Sequence, residues 1–387
     1  MATPLLDIET QHKDMIHDAQ LDYYAKKLAT CSSDTTVRIY DIHGDHQYQP
    51  SAELLGHDGP VWQVAWAHPK FGTVLASCSF DGKVIIHREQ PAGKWQQIFV
   101  YQELQSSVNS IAWAPQEYDL CLACVTSDGK ISVLSHNSND MWNAKVFSGS
   151  DLGINSISWA PYGQSDKKRF VTGGCDKKVK VWVLEEDQWK VEHELVQHSD
   201  WVRDVAWAPS IGLPSSTIAS CCEDGKVIIW SQSNESWVPK IIKGNSDKSP
   251  PVWRVSWSVT GSVLAISAGD SEVTLWKETL DGEWIQISDV QEATKPAPVA
   301  EPMQYQADYS QQQYQQDYSQ PQQQQPDPYN PPHYQTGGSQ QPQYNAQQGN
   351  MYMPPQAYPQ QQAYPPNTGY NGQQQHAPPP VAYPPRY

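Results

Sequence analysis

From Lys295 to the C-terminus the chain has no Trp, Cys, Leu, Ile or Phe. A segment so poor in large apolar side chains cannot bury enough surface to offset the entropy lost on ordering. What remains is Gln, Pro and Tyr, as in QQQYQQDYSQPQQQQPDPYNPPHY, a composition that favours extended, solvated chain. Residues 295–387 are therefore expected to form a disordered tail. One fragment, Pro331-Pro332-His333-Tyr334, fits the PPxY pattern read by WW domains, although a tail of this composition produces such a tetrapeptide readily.

Other absences narrow the function. No run approaches the roughly eighteen continuous apolar residues of a membrane-spanning helix. Met1 to Asp18 lacks the apolar stretch of a secretory signal. A cytosolic or nuclear setting with reduced thiols is the expectation. Positive charge is scarce: 26 Lys and Arg face 42 Asp and Glu, for a formal net charge of -16. The tail carries only -2 of this, so the acidity belongs to the first 294 residues. An acidic domain is repelled by phosphate backbones and anionic membrane surfaces, so direct nucleic-acid binding is not expected. There is no G-x-G-x-x-G, P-loop or kinase signature. Cys121 and Cys124 form a CxxC with no second pair at zinc spacing, and on a strand they would point to opposite faces. No metal and no cofactor are expected.

What the first 294 residues do hold is a repeat. Six segments, from LATCSSDTTVRIY to LAISAGDSEVTLW, centre on Asp34, Asp81, Asp128, Asp176, Asp224 and Asp270, spaced by 47, 47, 48, 48 and 46 residues. Before each turn lies another apolar run, carrying Trp66, Trp113, Trp159, Trp207 and Trp257, with Leu21 in the first copy. Each copy thus has four short β-branched or aromatic runs split by turn residues, with no room for a long helix. Asp81-Gly82, Asp128-Gly129 and Asp224-Gly225 suit tight hairpins needing positive φ. Strict alternation places Trp62, Val64 and Trp66 on one face. Four strands in about 47 residues make the blade of a WD-repeat propeller. The fold class is all-β: an N-terminal segment at 1–11, a six-bladed open WD-repeat β-propeller at 12–294, and the tail.

Two constellations look catalytic: Ser77, His57 and Asp81, and Ser220, His198 and Asp224. Both recur at repeat-equivalent positions, whereas a working triad occurs once, in a cleft, with an oxyanion hole. They are read as a structural hydrogen-bond network that ties each turn to its neighbouring loop. His12 takes the part of His57 in the first copy. Cys31, Cys78 and Cys221 all sit three residues before their turn Asp and are read as small buried side chains.

The segments IHDAQLDYYAKKLATCSSDTTVRIYDI, GHDGPVWQVAWAHPKFGTVLASCSFDGKVIIHRE, HSDWVRDVAWAP and SPPVWRVSWS carry a resemblance that covers about residues 12 to 292. The chain resembles the Sec-thirteen family, the small WD-repeat subunits of the COPII outer coat. That resemblance implies a non-catalytic scaffold with several partners. These are the large COPII cage subunit on vesicles leaving the endoplasmic reticulum, a scaffold nucleoporin of the Y-shaped nuclear pore complex, and a vacuolar or lysosomal coat complex in nutrient signalling. Membrane association would be peripheral, through the coat. Propellers of this type usually close with seven blades, and no seventh copy exists here, so a partner is expected to donate one. Strand addition at an open edge is the expected mode. Candidate contacts are Tyr23, Tyr24, Ile39 and Tyr40 from the first copy and Val252, Trp253, Val255 and Trp257 from the last. A propeller that reads phosphopeptides would need a basic pocket, and no cluster of Arg supplies one.

Overall fold

A computed structural model describes residues 6–290 apart from 45–46, 138, 140, 164, 166, 210–215, 234–235, 245–248 and 270–271. The tail with its PPxY fragment and the turn residue Asp270 lie outside the described residues.

Among the described residues, twenty-four strands form six four-stranded antiparallel sheets, each ordered as its strands follow in the chain. Blade 1 holds β1 (Ile16–Leu21), β2 (Lys27–Ser32), β3 (Val37–His43) and β4 (Gln47–Leu54). Blade 2 holds β5 (Val61–Trp66), β6 (Val74–Ser79), β7 (Val84–Gln90) and β8 (Lys94–Tyr101). Blade 3 holds β9 (Val108–Trp113), β10 (Cys121–Thr126), β11 (Lys130–His136) and β12 (Trp142–Ser148). Blade 4 holds β13 (Ile154–Trp159), β14 (Arg169–Gly174), β15 (Lys178–Glu185) and β16 (Gln188–Val196). Blade 5 holds β17 (Val202–Trp207), β18 (Thr217–Cys222), β19 (Val227–Ser233) and β20 (Ser236–Lys243). Blade 6 holds β21 (Val252–Trp257), β22 (Val263–Ala268), β23 (Val273–Glu278) and β24 (Trp284–Val290).

The hairpins between second and third strands turn as their residues require. Gly82, Gly129 and Gly225 have φ of 78°, 80° and 79°. Blades 1 and 4 put Thr35 and Lys177 at this position, at 70° and 65°.

The first strand of each blade lines a central channel of about 1020 Å³, walled by residues of β1, β5, β9, β13, β17 and β21. A blade is too thin to bury both faces alone, so the apolar cores lie between blades. At the joint of blades 1 and 2, Ala29, Cys31, Val37 and Ile39 meet Val61, Val64 and Leu75. The joints of blades 2–3, 3–4, 4–5 and 5–6 repeat this arrangement. Among the described residues there are five such cores, and none joins blade 6 to blade 1.

One expectation about faces fails. Val64 and Trp66 face blade 1, but Trp62 packs toward blade 3 and its indole donates to Ser107 Oγ at 2.9 Å. The cause is a bulge between Val61 and Gln63, which inserts one residue and breaks the alternation. Similar shifts between Ile16 and Asp18, Ile154 and Ser156, Val202 and Asp204, and Val252 and Arg254 give most first strands the same offset.

Candidate functional site

The first strands are linked round the channel by one device. A side chain just past the bulge accepts a hydrogen bond from a backbone N–H of the next blade's first strand. Asp18 Oδ2 takes it from Val64 at 3.3 Å, Gln63 Oε1 from Ile111 at 2.8 Å and Ser110 Oγ from Ile157 at 3.4 Å. Ser156 Oγ takes it from Val205 at 3.2 Å and Asp204 Oδ2 from Val255 at 3.0 Å. Further along the same strands, the indole N–H groups of Trp66, Trp113, Trp159 and Trp257 donate to backbone carbonyls of the preceding blade, at Gln20, Ala65, Ala112 and Ala206.

The seam between blade 6 and blade 1 departs from this pattern. The equivalent of Asp18 on blade 6 is Arg254, a donor only. Its Nη2 lies 3.9 Å from Asp18 Oδ1, an ion pair across the seam. Ile16 is 44% exposed, whereas its repeat equivalents Val61, Val108, Ile154, Val202 and Val252 are between 0% and 2% exposed. Leu21, standing where the other blades have Trp, is 54% exposed. On blade 6, Leu264, Ile266 and Ala268 pack toward blade 5. Alternation then turns Ala265, Ser267 and their cross-strand partners Leu275 and Val273 toward the seam. Ile285, paired with Lys277 and 49% exposed, and Ile287, 46% exposed, extend that face outward. The seam therefore presents two apolar sheet faces rather than a free strand edge, and whatever fills it packs face to face.

The eight contact residues named from the sequence scatter over this geometry. Ile39 is buried against blade 2, and Val252, Val255 and Trp257 are buried or half-buried against blade 5. These four serve the joints, because the bulge puts Val252 and Val255 on the same face. Tyr40 lies on the seam side of blade 1, but its hydroxyl donates to the carbonyl of Thr10, so the N-terminal segment covers it. Glu9 N–H also donates to Tyr48 Oη, at 3.0 Å. Tyr23 and Tyr24 are exposed on the turn after β1, edge to face with each other at 5.1 Å, and Tyr23 also meets His68. Trp253 is half-exposed and stacks under the Arg203 guanidinium at 5.0 Å. Arg203 belongs to β17 of blade 5, so the ring contact of Trp253 is made at that joint and not at the seam.

The apparent triad of blade 2 assembles, whereas that of blade 5 forms its His–Ser bond without a His–Asp bond. His57 Nε2 lies 2.8 Å from Ser77 Oγ and its Nδ1 3.1 Å from Asp81 Oδ2. His12 does the same with Thr30 and Asp34, both at 2.9 Å. In blade 5, His198 Nε2 and the Trp230 indole both bond Ser220 Oγ, at 2.7 and 2.8 Å, while Asp224 is held by Ser199 and Lys226. Ser77 and Ser220 are buried, which gives a substrate carbonyl no approach. The turn aspartates accept backbone N–H bonds: Asp81 takes them from Asp58 and Lys83, and its carboxyl sits down at about 2 despite burial, held ionised by His57 and these donors. Burial pushes His87 down to about 4, with His57 adding to the effect; burial does the same to His198 against the opposing pull of Asp224, with Lys226 adding a little.

All seven cysteines are free and buried. Cys121 and Cys124 sit in different inter-blade cores, on opposite faces of β10. Burial pushes the Cys124 thiol up to about 12. His198, Cys222 and Asp224 each offer a ligand atom within 4.8 Å of the others. Cys222 Sγ, however, donates to the Asp200 carbonyl at 3.1 Å, as Ser79 Oγ does to Gly59, which makes it the blade's turn-capping group.

The comparisons with known proteins agree with the repeat. The model described as "WD domain, G-beta repeat" matches residues 4–41, 142–183, 189–231 and 238–277. The "Anaphase-promoting complex subunit 4 WD40 domain" model matches residues 64–162. The chain is 50% identical over 303 residues to "Protein transport protein SEC13" of Yarrowia lipolytica, covering 74% of this chain and 100% of the relative. It is 50% identical to "Protein SEC13 homolog" of Homo sapiens, covering 75% and 94%, and 46% identical to that of Drosophila melanogaster, covering 74% and 84%. The chain belongs to the SEC13 family. Membership of this family of WD-repeat proteins indicates a structural rather than a catalytic protein, and it fits triads that repeat with the blades. Sequence reasoning missed the seam face of Ile16, Leu21, Leu275, Ile285 and Ile287. The available signal was Leu21 in place of Trp.

Proposed function

We propose that this chain is a scaffold subunit of a COPII-type outer coat, acting in vesicle budding from the endoplasmic reticulum. It would do so by taking a partner's blade into the seam between blades 6 and 1. Ile16 carries the reading: one position is buried in five blades and 44% exposed in the first, next to a second apolar face on blade 6. Two such faces left to water are a docking surface for a sheet that is apolar on both sides. The partner is the large, helical-solenoid subunit of the cage, whose donated sheet is the seventh blade. The same seam receives a scaffold nucleoporin in the Y-shaped complex of the nuclear pore, and a vacuolar or lysosomal coat subunit in nutrient signalling. Because each would fill one gap, these partners exclude one another. The protein's places are accordingly the cytoplasmic face of the endoplasmic reticulum, where the coat holds it on the vesicle, and the nuclear pore.

The test is purification of the endogenous protein with stoichiometry, repeated with Ile16→Asp. Near one-to-one recovery of the large cage subunit, lost in the variant, supports the reading. Recovery as a free monomer, or undiminished recovery with Ile16→Asp, overturns it.

A further inference from the structure

Arg254 is out of keeping with the ring it belongs to. At five joints the equivalent residue is an acceptor, and the groups are chemically unlike: a carboxylate, a carboxamide, two hydroxyls and a second carboxylate. They share only the ability to take a backbone N–H. A guanidinium has five donors and no acceptor, so it cannot close a sixth joint in that way. Neither does it find a short acceptor in the seam among the described residues. Asp18, at 3.9 Å, already takes the Val64 N–H on Oδ2 and the Gln20 amide on Oδ1 at 3.3 Å. Asp204 takes Ser156 Oγ at 2.6 Å and the Val205 N–H at 3.0 Å on Oδ1, and the Val255 N–H on Oδ2. Arg254 lies near enough to both carboxylates to oppose the upward push that burial gives their pKa values. Its side chain is nevertheless 43% exposed to the channel water.

We propose that Arg254 is the group by which the seam recognises its partner: it pairs with a carboxylate on the innermost strand of the inserted blade. The proposal rests on the reading that a partner blade enters this seam. Insertion separates blade 6 from blade 1 and lengthens the contact with Asp18. Arg254 then faces the newcomer where a sixth joint bond would otherwise stand. A carboxylate there gives the forked, two-bond geometry that a guanidinium favours, in a site drier than the open channel. A neutral or basic residue leaves the guanidinium enclosed without a partner, which is the larger penalty and the source of selectivity. Lys277, exposed on the same side of blade 6, adds a second cation further out. On a chain of net charge -16, an acidic strand is otherwise repelled.

The experiment is titration of the purified full-length chain with the purified large COPII cage subunit from the same organism. Wild type is compared with Arg254→Glu, Arg254→Gln and Ile16→Asp, each checked for an unchanged unfolding midpoint. Arg254→Glu is expected to weaken binding about 100-fold or more and Arg254→Gln about tenfold or more, as for a buried pair broken from one side. Acidic residues on the partner's innermost inserted strand are then changed to Lys one at a time. One of them should recover at least about tenfold of the affinity lost in Arg254→Glu, a rescue that a purely structural role does not give. Should Arg254→Glu not fold, Arg254→Gln and the partner's Lys variants against wild type decide the matter. Binding within about threefold of wild type for the Arg254 variants, while Ile16→Asp abolishes it, overturns this assignment and leaves the seam reading intact. Absence of binding by wild type overturns both.

Discussion

Ile16 and Val61 occupy one position of the repeat and differ only in whether a blade precedes them. Val61 is 0% exposed in the core between blades 1 and 2. Val61→Ala removes two fully buried methyl groups and leaves a void that the stiff joint does not fill, so a loss of about 2 kcal/mol in unfolding free energy is expected. Ile16→Ala removes three carbons, but the side chain is already 44% exposed. At about 0.8 kcal/mol per buried CH₂, the part that is buried comes to roughly 1 kcal/mol, without a cavity penalty. For partner binding the order reverses. Filling the seam buries the remainder of Ile16, another 1 kcal/mol or so, which is about five- to tenfold in affinity. Val61 lies at the joint of blades 1 and 2 and not at the seam, so its truncation should leave affinity unchanged in the folded fraction. Urea unfolding followed by tryptophan fluorescence measures the first quantity, and titration with the cage subunit the second. Equal destabilisation by the two substitutions would mean that blade 6 already covers Ile16 in the free protein. That result, or an affinity unmoved by Ile16→Ala, would refute the open seam.

Two further outcomes follow from the interior of the blades. His87 and His198 are held near pKa 4, below the ordinary 6.5, by burial. As pH falls, the unfolded chain takes up these protons first, so stability is complete above about pH 6.5 and declines as pH drops toward 4. Between pH 7 and 5.5 each should cost about 1 kcal/mol. Asp81 stays ionised in the fold to about pH 2 and contributes nothing over that range, while Asp18 and Asp204, raised by burial, gain stability on protonation and oppose the loss at its lower end. Urea midpoints should therefore fall between pH 7 and 5.5, with a smaller fall in His87→Gln/His198→Gln; equal falls would show that these rings titrate normally. The second outcome concerns the hairpin glycines. At Gly129 (φ 80°) an added Cβ would lie 2.2 Å from the Ser150 carbonyl oxygen and 2.4 Å from that of Leu152, whereas at Gly163 (φ 87°) nothing lies within 4 Å. Gly163→Ala is expected to cost about 1 kcal/mol from backbone strain alone, and Gly129→Ala well over 2 kcal/mol, read as thermal unfolding midpoints.

The blade count was legible because each of the five described hairpin turns has an Asp followed by a residue at positive φ, so the chemistry recurs at a fixed period. The face of each first-strand residue was not. A bulge is a matter of backbone geometry with no residue type of its own, and Val-Trp-Arg-Val reads as plain alternation until the extra residue is counted. That single residue sends Trp62 to blade 3 and turns Val252 and Val255 away from the seam. The ring of acceptors was hidden for a different reason. Asp18, Gln63, Ser110, Ser156 and Asp204 share no charge, size or hydropathy, only a lone pair at the right height. Aligning the six copies on their first strands would have shown Arg254 as the one residue there that cannot accept.

Leu21 is the substitution that the sequence displayed most openly, and the structure gives it a cause. The tryptophans at this position reach backward: four of the five donate their indole N–H to a carbonyl of the preceding blade, and the ring covers that blade's edge. Among the described residues no apolar core packs behind the first blade, and Leu21 is 54% exposed, so an indole at position 21 would hold its N–H toward an unfilled seam. An aliphatic side chain asks for no hydrogen bond and still offers apolar surface. If a partner's blade supplies the missing neighbour, its surface beside Leu21 must be apolar and needs no carbonyl aimed at that site. Leu21→Trp tests this. In the free protein the indole adds exposed apolar area and should leave stability within about 0.5 kcal/mol. In the complex it has no acceptor and exceeds the space left by leucine, so overpacking of about 1–3 kcal/mol should appear as binding weakened tenfold or more. Tighter binding by Leu21→Trp would show instead that the incoming blade presents the same carbonyl as the five resident ones, and that the first joint differs from the others only by chance of sequence.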